Sequence, residues 1–217
     1  MIAQLKENFD RKNITLVAVS KTMPVEKIMP VYRAGHRIFG ENRTQEMAEK
    51  HNLMPKDIQW HMIGHLQKNK VKYIADFVSM IQSVDNEKLL QVIDKEAFRH
   101  NRKIDYLLQM KIAEEDSKYG LSFPQVKELI EKINSDNFPN TRCRGLMGMA
   151  TFTEDTAQIK KEFASLKTCF DSIRENLIKN KTHFDTLSMG MSGDYEIALT
   201  EGSNMVRIGS LIFGERN

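Results

Sequence analysis

Lys21 is the residue with the strongest claim to covalent chemistry. It ends the apolar, β-branched run LVAVS (16–20) and precedes Thr22-Met23-Pro24, which puts an ammonium group at the end of a strand. Desolvation there lowers a lysine's pKa and frees the neutral amine that forms an imine with an aldehyde. A strand-end lysine can equally lay its stem on the surface and keep its head in water, so its neighbours decide. Arg207 lies inside the apolar run MVRIGSLIF, and alternation puts it on the same face as Met205 and Gly209. A buried arginine needs a partner. One solution is an ion pair with Glu41 or Asp194. The other is an acceptor on a ligand, because a guanidinium only donates; a pyridine nitrogen facing it must be unprotonated. Such a ring is a weaker electron sink than one paired with a carboxylate.

Three residues have the chemistry to hold an anion. Ser192, in MSGD, opens the apparent helix DYEIALTEG, and Gly209-Ser210 follows the last strand, so both segments offer hydroxyls and backbone N–H groups. Ser192 can also cap that helix, and the two roles are compatible. Asn42 follows a strand and can orient a phosphate or a ring oxygen. His61 ends another strand and either packs at a ligand ring or is a satisfied core histidine. Glu41 and Trp60 read as structural neighbours that fix those positions.

These residues require a scaffold that gathers strand ends. Eight short apolar runs alternate with helical segments: LVAVS (16–20), HRIFG (36–40), QWHMI (59–63), FVSMI (77–81), DYLLQM (105–110), CRGLMGM (143–149), FDTLSM (184–189) and MVRIG (205–209). Between them, NEKLLQVIDKEAFRH (86–100) brings Leu89, Leu90, Ile93 and Ala97 to one face, and FPQVKELIEKI (123–133) does so with Val126, Leu129, Ile130 and Ile133. Parallel strands need such crossovers. The count favours an α/β fold closed as a single (β/α)₈ TIM barrel over an open doubly wound sheet, since KTMPVE after the first strand has no glycine-rich phosphate loop. The working face is then the carboxyl end of the strands.

The bulk numbers agree. The chain has 217 residues, 41% hydrophobic and 28% charged, which suits one globular domain over 1–217. Lys and Arg (32) nearly balance Asp and Glu (29) and are spread along the chain, so nucleic acid is not expected as a partner. The densest basic stretch, Lys68, Lys70 and Lys72 in QKNKVKY, reads as a solvated helix face. Cys143 and Cys169 have no metal-ligand or redox-pair spacing, so no metal is expected. With no signal-like start and no spanning apolar stretch, a cytoplasmic protein away from the membrane is expected.

The segments AVSKTMPVEKI (18–28), FGENRTQE (39–46), WHMIGHLQKNK (60–70), SKYGL (117–121), GLMGMAT (145–151), LSMGMSGDYEIAL (187–199) and GSNMVRIGSLIFGER (202–216) resemble, in the same order, the pyridoxal phosphate homeostasis protein family, short relatives of the amino-terminal barrel of alanine racemase. The resemblance implies that Lys21 holds pyridoxal 5′-phosphate (PLP) as an internal aldimine, a Schiff base. It further implies that Ser192, Gly209 and Ser210 bind the phosphate, that Arg207 approaches the pyridine nitrogen and that Asn42 lines the site. The leading segment is shorter than is common in the family. Asn204 stands where threonine is frequent, and Arg43-Thr44 replaces a frequent Tyr-Val. The chain ends at Asn217, without the β domain that builds the racemase dimer and its second base. The expectation is therefore a monomeric cofactor carrier for PLP homeostasis, with no catalytic residue. The alternative is a slow PLP-dependent racemase or transaminase. A third reading has the barrel docking on apo PLP-dependent enzymes through QKNKVKY.

Overall fold

The computed structural model describes residues 7, 9, 11–113, 120–179 and 181–214, so residues 117–119 of the SKYGL segment and 215–216 of the last motif lie outside the described residues. The described strands are β1 (Thr15–Val19), β2 (Ile38–Glu41), β3 (Gln59–Met62), β4 (Met80–Val84), β5 (Ile104–Gln109), β6 (Thr141–Met147), β7 (Thr186–Ser188) and β8 (Met205–Ile208). The helices whose full range lies among the described residues are α1 (Val25–Arg33), α2 (Thr44–Leu53), α3 (Glu87–Arg99), α4 (Phe123–Asn134), α5 (Thr156–Asn176), α6 (Tyr195–Thr200) and α7 (Ser210–Phe213), with a 3₁₀ segment (Lys68–Tyr73) between β3 and β4. All neighbouring strands are parallel, and β8 returns to pair with β1, Val17 opposite Arg207, closing the barrel. No described helix is long and apolar enough to cross a membrane.

Local sequence explains the helices. Asn86 caps α3 by accepting the Leu89 N–H at 2.8 Å, and Leu89, Leu90, Ile93 and Ala97 are buried beneath it. Gln125 reaches back to the Ser122 N–H at 2.8 Å at the start of α4, which buries Val126, Leu129 and Ile130. Asp155 caps α5 through the N–H groups of Ala157 and Gln158. The basic stretch forms the 3₁₀ segment, anchored by buried Val71, with Lys68 and Lys72 exposed as a solvated face.

Alternation along the strands separates two apolar layers. Val17, Met80, Leu107, Met147 and Met205 form one cluster inside the barrel, whereas Leu16, Ala18, Val206 and Ile208 pack outward. The fourth strand departs from expectation: it runs over Met80–Val84, three residues beyond FVSMI. Phe77 and Val78 turn back on the Ile74 carbonyl, and the Phe77 ring stacks on His51 at 3.8 Å. The strand instead continues through Gln82 and Ser83, polar yet fully buried. Their polarity hid the strand's true extent.

Candidate functional site

The inward side chains of the strands end at a cavity of about 850 Å³ whose walls include Lys21, Asn42, Ser192, Arg207, Gly209 and Ser210. The positions follow from period two. Val17 is in the barrel interior and Val19 and Lys21 follow it into the cavity; Met205, Arg207 and Gly209 do the same from β8. His61 is the exception among the expected site residues. It faces inward one layer deeper, while Ile63, two residues on, takes the position in the wall. His61 is a satisfied core histidine: only 4% exposed, with Nδ1 3.0 Å from Gln82 Nε2, and pushed by burial down to about 4.

Lys21 stands on a buried ionic platform. Lys50, only 5% exposed, donates at 2.7 Å to each of the Ser20 carbonyl, Glu41 Oε1 and Glu46 Oε1. Ser20 Oγ also donates to Glu41 at 2.6 Å, and the Thr22 N–H donates to Glu46 at 2.5 Å. The backbone on both sides of Lys21 is thus tied to one cluster of charges. That grip matters because Thr22 adopts φ 65°, a conformation a β-branched residue holds only when its surroundings enforce it. Burial pushes the Glu41 carboxyl up, and Lys50 opposes that shift. Glu41 is therefore a structural residue, as its place in the sequence suggests, and it braces the backbone beside Lys21.

Arg207 is 3% exposed, and its hydrogen-bond partners are the Ser188 hydroxyl at 2.6 Å and the Gly148 carbonyl at 3.0 Å. Both are neutral. The alternative ion pair with Glu41 does not form, because Glu41 pairs with Lys50; Asp194 lies in the same cavity wall, and its charge raises the Arg207 pKa against burial. Burial lowers the guanidinium to about 10.

Ser192 and Gly209 meet directly: the Gly209 N–H donates to Ser192 Oγ at 3.2 Å. Ser192 does not cap α6, whose N-cap is Asp194. Asn204 is structural, its amide bridging the Leu187 N–H at 2.8 Å and the Asp185 carbonyl at 2.6 Å, and neither Arg43 nor Thr44 lines the cavity. Asn42 is positioned by Gly64, where a Cβ would come within 2.5 Å of the Asn42 carbonyl oxygen.

Several wall residues were not singled out from sequence: Gln109 at the end of β5, and Met149, Thr151 and Phe152 in the loop after β6. That loop is pinned by Glu162 of α5, which accepts the Thr151 N–H and Oγ1, each at 2.7 Å. Alternation along β5 was the available signal for Gln109, two residues beyond the interior Leu107.

Residues 2–217 match the alanine racemase N-terminal domain family. Over 202 residues the chain is 39% identical to the pyridoxal phosphate homeostasis protein of Aquifex aeolicus, spanning 93% of this chain and 86% of that one. The chain belongs to the pyridoxal phosphate homeostasis protein family. A relative of the same name from Schizosaccharomyces pombe is 36% identical over 216 residues, covering 99% of this chain and 89% of its own. Among solved structures, this family member is similar to PipY of Synechococcus elongatus with PLP bound, with TM-score 0.86, 29% identity and coverage of 99% and 100% of the two chains. The alanine racemase of Bartonella henselae, 16% identical with TM-score 0.73 and matched over 58% of its length, shares the fold.

Proposed function

We propose that the chain binds PLP in the cavity at the carboxyl end of the barrel and acts in PLP homeostasis, storing and delivering the cofactor with little or no turnover. The observation that carries this reading is the shared cavity. An amine (Lys21), hydroxyl and N–H donors (Ser192, Gly209, Ser210) and a buried guanidinium bonded to neutral groups (Arg207) face one space large enough for a small ligand. Lys21 would supply the amine that holds the aldehyde of PLP reversibly. Ser192, Gly209 and Ser210 would hold the phosphate, and Asn42 would line the ring. Arg207 would face the pyridine nitrogen, and because a guanidinium can only donate, it would favour the unprotonated ring. Bound PLP supplies an electrophilic aldehyde and an electron-withdrawing ring; a ring held this way is a poor electron sink, which favours custody of the cofactor over catalysis.

Purified protein titrated with PLP should develop the absorbance of a lysine imine, and Lys21→Ala should abolish it. A mutant with an unchanged spectrum removes Lys21 from the account. Exchange of the alanine α-hydrogen in heavy water faster than about 1 s⁻¹, the low end of ordinary enzyme rates, would instead make it an enzyme.

A further inference from the structure

We infer that Gln82 and Ser188 are positioning residues for Arg207, forming with His61 a buried hydrogen-bond chain that presents the guanidinium to the cavity; the inference rests on the proposal that Arg207 meets a ligand ring nitrogen. The chain links four strands, since Arg207 lies in β8, Ser188 in β7, Gln82 in β4 and His61 in β3. Every member is at most 5% exposed. Arg207 Nη1 donates to Ser188 Oγ at 2.6 Å, Ser188 Oγ donates to Gln82 Oε1 at 2.7 Å, and Gln82 Nε2 meets His61 Nδ1 at 3.0 Å.

Chemistry fixes its polarity. Arginine has no lone pair to offer, so Ser188 must accept from it, and the single hydroxyl hydrogen is left for Gln82. That bond orients the amide, whose NH₂ then faces both His61 Nδ1 and the Met205 sulfur at 3.2 Å. His61 must accept at Nδ1 and so carries its proton on Nε2, in the neutral form that burial favours. The opposite orientation of Gln82 would strand the Ser188 hydrogen and turn an oxygen on the sulfur. One proton arrangement makes all three bonds at once, and it leaves the remaining Arg207 N–H groups for the cavity.

The test is a double-mutant cycle read by PLP affinity and by the pH titration of the bound chromophore. Gln82→Leu and Ser188→Ala should each weaken PLP binding by about tenfold, the scale of one charge-assisted hydrogen bond. The double variant should be no weaker than Ser188→Ala alone, because Gln82 acts through the serine. Both single variants should move the spectral pH transition of the ring upward, and Ser188→Thr, which keeps the hydroxyl, should restore it. If Gln82→Leu does not fold, Gln82→Met replaces it in the cycle. Additive losses, or weakened affinity with an unmoved transition, would overturn the inference. Wild-type protein that fails to bind PLP would sink the proposed function, whereas normal wild-type binding with unaffected variants would sink only the chain.

Discussion

At the amino end of the barrel, Arg142 and Arg144 meet Asp105 and Asp185 in a lattice across β5, β6 and the start of β7, with contacts of 2.7–3.0 Å. At the carboxyl end, Arg207 is bonded to a hydroxyl and a carbonyl. Burial opposes the charge of Arg144, yet the carboxylates of Asp185 and Asp105 outweigh it and hold the pKa up; Arg207, with burial dominant, falls to about 10. An arginine that serves the scaffold brings its counter-charge with it. Arg207 is bonded to neutral groups instead, as its proposed role toward a ligand requires.

The largest effect should come from acid. The His61 pKa is depressed from 6.5 to about 4, so its contribution to stability is full above pH 6.5 and is lost as the pH falls toward 4, roughly 3 kcal/mol in all. Glu41, whose carboxyl burial pushes up from 4.5, slopes the other way as pH rises above that value. Comparing wild type with His61→Gln by urea unfolding at pH 7, 5 and 4 isolates the histidine, and the gap should shift in favour of the variant as the pH falls. A gap independent of pH would mean that His61 is not held neutral.

Next in size is Asp105→Ala, which leaves Arg142 and Arg144 short of a counter-charge. It should cost about 2–3 kcal/mol, below the fully buried range because Arg142 keeps 37% of its side chain in water. Denaturant unfolding measures the loss, and PLP affinity of the folded variant should be unchanged. Arg207→Met should do the reverse. Its stability should hold or rise, while PLP affinity in an absorbance titration falls about ten- to a hundredfold. If Arg207→Met unfolds the protein as Asp105→Ala does, the two ends do not differ in kind.

Alternation along MVRIGSLIF made the inward placement of Arg207 legible, and Lys21 stood out by ending an apolar strand, although a lysine there can equally keep its head in water. The eight-strand barrel was legible for a similar reason, since the runs at Leu16, Leu107 and Val206 alternate with helical periods. Gln82 and Ser188 were not, because a buried polar residue announces itself only through partners distant in sequence: Gln82 meets Ser188 from 106 residues away. His61 was placed one layer too high, since reading its strand to Ile63 does not tell which inward position reaches the mouth. Met149–Thr151 fall in the family segment GLMGMAT, but nothing in their chemistry told that the loop lines the site; it does so because Glu162 holds Thr151.

The most direct measurement is borohydride reduction of PLP-loaded protein, followed by mapping of the modified peptide. The phosphopyridoxyl group should be found on Lys21 alone, in the peptide that contains Ser20 and Thr22. Its recovery on another lysine, such as Lys50 beneath the site, or the absence of any adduct, would contradict the account.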